Sequence, residues 1–448
     1  MSETLDLALI NGNVFLPSGK IEKINLGIKN SKISYLGNSS NLKAKTNIDV
    51  KNLHVLPGCI DTQVHFREPG LTHKEDILHG TKGAIMGGIT GIFEMPNTKP
   101  PTINRIEFEK KIALAESNSF CEYGFYIGAA KENIEKINEL EKMPGCCGVK
   151  IFMGSSTGDL LVEDDNNLKK IMKNSSRKIA IHSEDEYRLA ERKKILKDEK
   201  INIYFHEKWR DEKTAFQSTK RILNMVKHID NKNVHILHIS TIDELNLIKK
   251  NKKFLTCEAT PQHLFFHSPD CYQRLGSLAQ MNPPIRNIEH KKALWKAIND
   301  RTIDIIGSDH APHTFEEKKK MYPNSPSGMT GVQTMIPILL NFVNQKKFSL
   351  VDMVRLVCEN PVKIYKILGK GKIEKNYDAD FTIVDLKKER KIENKWIQSK
   401  SGWTPYDGIK VKGWPVITII RGKVVMFQNK IVGKPCGKKF IFQDTQNI

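Results

Sequence analysis

The sequence predicts a parallel (β/α)8 barrel of the TIM type carrying a small discontinuous β-sandwich domain built from both chain ends. Three observations predict it. From Gly58 to Tyr365, eight short apolar runs of strand length alternate with longer charged stretches of helical periodicity. On either side of that region the pattern changes to hairpins with Asn-Gly-type turns, as in LALINGNVF and VITIIRGKVVMFQNKIV. Polar, metal-competent residues recur at the C-terminal ends of the eight runs, where barrel enzymes carry their chemistry.

Residues 1–57, with LALINGNVF, INLGIKNSKISYLGN and NLHVLPG, make the N-terminal part of the small domain. The barrel is expected over 58–365, with strands at Cys59–Val64, Thr90–Met95, Tyr123–Gly128, Gly148–Met153, Lys178–Ile181, Val234–Ile239, Phe254–Cys257 and Ile303–Ile306. Periodicity alone leaves an open doubly wound sheet as the alternative. Residues 366–435 return to the hairpin pattern and complete the small domain, and 436–448 end the chain as a frayed tail.

A chain of 448 residues, 39% hydrophobic, suits a large barrel plus a smaller unit, because single cores stop growing near ~250–300 residues. The start, MSETLDLALINGNVF, lacks a basic segment followed by an apolar one, and no uncharged apolar stretch of about 18 residues occurs. A cytoplasmic protein without a membrane partner is expected. The eight cysteines include no CxxC pair, which excludes a zinc ribbon and a disulfide framework. The formal charge of +20 comes from lysines scattered over nearly every helical stretch. They form no aromatic-interleaved groove for nucleic acid, and the positive field suits steering of a small anionic substrate.

Strand one runs into Asp61-Thr62-Gln63-Val64-His65-Phe66-Arg67, strand two into Met95-Pro96-Asn97, and strand five into His182-Ser183-Glu184. Strand six ends near His238, strand eight runs into Ser308-Asp309-His310-Ala311-Pro312-His313, and Lys150 lies inside strand four. Singly, such a histidine is ordinarily structural and such a lysine snorkels to solvent. Together at one end of one barrel they require a joint role. Neutral imidazoles of His65, His182 and His238 with the Asp309 carboxylate suit zinc or a similar divalent ion. An unperturbed lysine has a pKa near ~10.4 and cannot bridge cations while protonated. Lys150 joins the site only as a carbamate formed with carbon dioxide. A site of one or two Zn2+ ions would supply a hydroxide nucleophile near neutral pH.

The motifs VHFREPG, EMPNT, GVKIFM, HSED, HILHIS, NPPIR, SDHAPH and DADFTIVD together resemble the class I dihydroorotases of the amidohydrolase superfamily, across almost the whole chain. The resemblance implies that His65, N6-carboxylated Lys150, His182, His238 and Asp309 bind metal. It implies that Asp309 shuttles the proton, and that Arg67, Asn97, Asn282 and His313 bind the substrate carboxylate. Arg67 fits this role physically, since a planar guanidinium grips a carboxylate bidentately. The implied reaction is reversible cyclisation of N-carbamoyl-L-aspartate to L-dihydroorotate through a metal-activated hydroxide. Homo-oligomers or association with aspartate transcarbamoylase are the implied assemblies.

The sequence departs from the pattern at Gln63-Val64-His65, where the family pairs two histidines, and an amide is a weaker zinc ligand than imidazole. Gln262, in TPQHL, also stands where the family usually has histidine. The rival readings are another cyclic-amide hydrolase (hydantoinase, dihydropyrimidinase or allantoinase) and a noncatalytic partner of aspartate transcarbamoylase. Arg67 speaks for a substrate bearing a carboxylate. The run Gly154-Ser155-Ser156-Thr157-Gly158 lacks a P-loop ending and reads as a loop over the mouth. Asp61 reads as support for the strand-one loop or for His65. Glu184 and Asp185 read as helix-start or supporting residues.

Overall fold

Alternating half-buried runs at the chain ends and fully apolar runs between them sort into two sheets. The computed structural model describes residues 4–39, 42–155, 160–229 and 233–443. At the N-terminus β1 (Leu5–Phe15), β2 (Ile21–Lys29) and β3 (Lys32–Gly37) form an antiparallel meander, and β4 (Ala44–Asp49) and β5 (His54–Pro57) return parallel to β1.

Eight strands follow: β6 (Cys59–Val64), β7 (Ile89–Glu94), β8 (Glu122–Gly128), β9 (Cys146–Phe152), β10 (Ile179–His182), β11 (Val234–Ile236), β12 (Leu255–Ala259) and β13 (Ile305–Ile306). All their residues except Thr256 are buried, as befits parallel strands covered on both faces. They pair in chain order. The barrel closes where Val64 bridges to His310 and the His65 N–H donates to the His310 carbonyl at 2.7 Å. Each run expected from the sequence falls on one of these strands, with ends shifted by a few residues. Several barrel helices start on short polar caps that the sequence displays: Asp76 before Ile77–Met86, Asn104 before Arg105–Asn118, Asp211 before Glu212–His228 and Thr241 before Ile242–Lys250.

The second sheet unites the chain ends. β14 (Phe381–Lys391), β15 (Lys410–Ile420), β16 (Lys423–Phe427) and β17 (Lys430–Ile431) are antiparallel, and β14 pairs with β5 through Phe381 and Pro57. The result is one nine-stranded sheet drawn from both chain ends, the small discontinuous β domain expected beside the barrel. Pairing of β5 with β14 joins the two halves edge to edge, and the apolar helix Met335–Asn344 packs on β15.

Of the expected tail, the residues described up to Gln443 pack on the barrel. Lys439 bridges to Tyr123 and Phe442 to Ile367. Phe440 and Phe442 are 2% and 1% exposed and pack with Phe93, Tyr126 and Ile305 of the barrel interior. Gly91 makes the room: a Cβ there would come within 2.3 Å of the Phe440 ring. Apolar side chains thus fill the barrel from below and leave a polar mouth above.

Candidate active site

Every expected site residue except His313 lines one cavity at the C-terminal ends of the barrel strands, together with Phe152, Ala311, Ser327 and Gly328. Gln63 comes from β6, His65 and Arg67 follow it, Asn97 follows β7, Lys150 sits in β9 and His182 ends β10. Arg67, His238 and Asp309 have φ of 62°, 37° and 44°. Left-handed backbone in such residues costs about 1–3 kcal/mol each and gathers at functional sites. Here it marks three side chains of one cavity.

Hydrogen bonds fix which imidazole nitrogens are bare. His182 Nε2 lies 2.9 Å from Glu184 Oε2, and Arg210 holds that carboxylate with its Nη2 at 2.6 Å. A carboxylate accepts only, so His182 keeps its proton on Nε2 and turns a bare Nδ1 toward His238 Nε2, 3.0 Å away. His65 Nδ1 gives its proton to Asn97 Oδ1 at 2.7 Å, leaving Nε2 bare and 3.3 Å from Asp309 Oδ1. Gln63 Nε2 donates to the same Asp309 oxygen at 3.0 Å. Gln63 Oε1 and His238 Nδ1 are buried without a partner.

Burial pushes the His65 imidazole down to about 4 and lowers His182 and His238 as well. Burial likewise brings the Lys150 ammonium down to about 7, against attraction from Asp309 and Glu258. A free amine is the form that adds carbon dioxide. Among the described residues no three His, Cys, Asp or Glu side chains converge as a ready cation cluster. Bare imidazole nitrogens, a carboxylate, an unpartnered amide oxygen and an amine open to carboxylation fit a divalent cation.

The other wall is cationic. Arg67 is 1% exposed, and its Nε donates to the Pro312 carbonyl at 3.2 Å. Its Nη1 is buried without a partner, as is Asn282 Oδ1. Burial lowers its guanidinium only to about 10, so it stays charged. His313 does not line the cavity. Its Nδ1 faces Lys74 Nζ at 3.1 Å and its Nε2 faces the Ser327 carbonyl at 3.0 Å and Arg67 Nη2 at 3.3 Å. Both nitrogens are engaged behind Arg67, where burial pushes the imidazole down to about 3.

Some functional candidates escaped the sequence reading. Glu258 is fully buried within electrostatic reach of Lys150, accepts from Thr62 Oγ1 at 3.1 Å, and is pushed up to about 8 by burial. A single Glu in the run LTCEA carries no periodic signal. Glu94 accepts from buried Lys111, which also donates to the Met95 carbonyl at 3.2 Å and so braces the loop bearing Asn97. Asp61 Oδ1 accepts from the backbone of Gln63 at 3.2 Å and Ser308 at 2.9 Å, supporting the strand-one loop rather than His65. Glu184 is a support of His182, while Asp185 caps Glu186–Arg192. Gln262 donates to the Ser308 carbonyl at 2.7 Å and does not line the cavity. Of the loop expected over the mouth, residues 156–158 lie outside the described residues.

The amidohydrolase family model matches residues 54–425. The chain belongs to the amidohydrolase family. This amidohydrolase is 34% identical to a dihydroorotase of Methanosarcina mazei, covering 97% of each chain, and 37% identical to one of Pyrococcus horikoshii, covering 95% of this chain and 94% of that one. An L-hydantoinase structure from Arthrobacter aurescens superposes with a TM-score of 0.92 at 27% identity, over 98% of this chain and 100% of the other. A dihydropyrimidinase structure from Brevibacillus agri, at 22% identity and a TM-score of 0.89, shares the fold.

Proposed function

We propose that this amidohydrolase is a dihydroorotase, catalysing reversible cyclisation of N-carbamoyl-L-aspartate to L-dihydroorotate in pyrimidine synthesis. The observation that carries the reading is Arg67, a buried guanidinium with one nitrogen without a partner, lining the same cavity as the imidazoles. A ring substrate bearing a carboxylate satisfies it, whereas an uncharged hydantoin leaves it unpaired. The resemblance to dihydroorotases over nearly the full length supports the same substrate.

In this reading His65, carboxylated Lys150, His182, His238 and Asp309 hold zinc, one or two ions per chain. When bound, a divalent cation polarises the amide carbonyl and lowers the pKa of water. The chain's residues do the rest. Arg67, Asn97 and Asn282 grip the carboxylate, and the Pro312 carbonyl, accepting from Nε, keeps Arg67 in place. Glu184 and Arg210 hold the His182 tautomer. Asp309 takes the proton from the attacking water and returns it to the departing ring nitrogen, and ring closure reverses that transfer.

The cytoplasmic assignment rests on eight unpaired cysteines. Self-association or a complex with aspartate transcarbamoylase is part of the proposal, checked by sedimentation alone and with that partner. The deciding experiment compares turnover of L-dihydroorotate, hydantoin, dihydrouracil and allantoin. A clear preference for L-dihydroorotate is expected. Preference for an uncharged ring would move the assignment to the hydantoinase group, and no turnover of any would favour a noncatalytic partner subunit.

A further inference from the structure

The donors of the cavity fall into two unequal groups. On one side His182 Nδ1 and His238 Nε2 stand 3.0 Å apart, and Lys150 lines the same cavity within electrostatic reach of both and of Asp309. A proton shared between them leaves without loss, because the unpartnered His238 Nδ1 takes it when Nε2 is freed for a cation. On the other side His65 Nε2 and Asp309 Oδ1 stand 3.3 Å apart, and the Gln63 amide already donates to that carboxylate oxygen. An amide proton cannot be displaced as an imidazole proton can. A cation arriving there meets the positive end of the Gln63 dipole until the side chain turns its oxygen inward, and that oxygen is a poorer donor to zinc than imidazole.

We propose that the cavity binds divalent cations unequally: one ion is retained by Lys150, His182 and His238, and a second exchanges freely at His65, Asp309 and Gln63. The inference rests on the metal-hydrolase reading of the site and goes beyond it by assigning Gln63 as the determinant of metal stoichiometry.

The test needs no substrate. The whole chain, loaded with zinc in bicarbonate buffer, is dialysed against a mild chelator and its zinc counted, and the metal-free chain is titrated with cobalt(II) by visible absorption. One ion per chain should survive dialysis, and the titration should show two steps at least tenfold apart in affinity. Gln63→His should bring the retained count to two. Two ions held with equal strength by the unaltered chain would overturn the inference, as would retention of none, and neither result depends on the variant folding. Unequal binding without dihydroorotate turnover would count against the proposed substrate while supporting the inference. Turnover with two equally held ions would do the reverse.

Discussion

Replacing Arg67 by lysine removes a fork while keeping a charge. The side chain is 1% exposed, its Nε is committed to the Pro312 carbonyl, and Nη1 is the nitrogen without a partner. A charge-assisted hydrogen bond contributes about 1.5–3 kcal/mol. A bidentate grip reduced to a single point contact should lose about 3 kcal/mol, or roughly 100-fold in affinity. Asn97 and Asn282 still line the cavity, and the groups near Asp309 are untouched. The loss should therefore fall on KM, with kcat changing a few-fold, provided chemistry limits turnover. Steady-state kinetics with L-dihydroorotate measures this, and dihydrouracil, which has no carboxylate, serves as the control. A fall in kcat at constant KM, or an equal loss for dihydrouracil, would refute a carboxylate-binding role for Arg67.

Lys150→Ala should abolish both zinc retention and turnover; full activity in that variant would remove the carbamate from the account. Glu184→Gln leaves Arg210 buried without its counter-charge, so chemical denaturation should show a loss of about 3–5 kcal/mol. Unchanged stability would mean the pair is not closed in solution. Asp61 is pushed up to about 7 by burial from 3.8. Its folded value lies above its unfolded one, so its stabilising contribution is complete below about pH 4 and lost as pH rises through about 7. Asp61→Asn preserves the acceptor for Gln63 and Ser308 and should flatten that stretch of the metal-free stability curve by a few kcal/mol; a curve parallel to wild type would contradict the shift. Phe440→Ala should cost about 3–5 kcal/mol in urea unfolding, whereas a neutral effect would return the C-terminal segment to an unpacked tail.

The barrel was legible because strands buried on both faces write themselves as unbroken apolar runs, and each polar intrusion at their ends is conspicuous. His65, Lys150, His182, His238 and Asp309 stood out for that reason, and all line the cavity. Residues acting through others were harder to read. Glu184 precedes the cap of a helix, and its salt bridge to Arg210 spans 26 positions that no local pattern connects. His313 sits in a motif beside real cavity residues, yet the Lys74 and Ser327 contacts that occupy it come from distant segments. The C-terminal plug failed differently. Two phenylalanines among lysines and polar residues have the composition of a tail, and only the space beside Gly91 shows where they go. The small β domain was legible as strands and turns at both chain ends, but hairpin patterns do not specify which strands meet, so the pairing of β5 with β14 was not.

The most direct measurement is turnover of L-dihydroorotate by the purified chain with zinc counted on the same sample. The account predicts activity together with at least one retained zinc per chain. A folded chain that holds neither zinc nor activity in bicarbonate would contradict it.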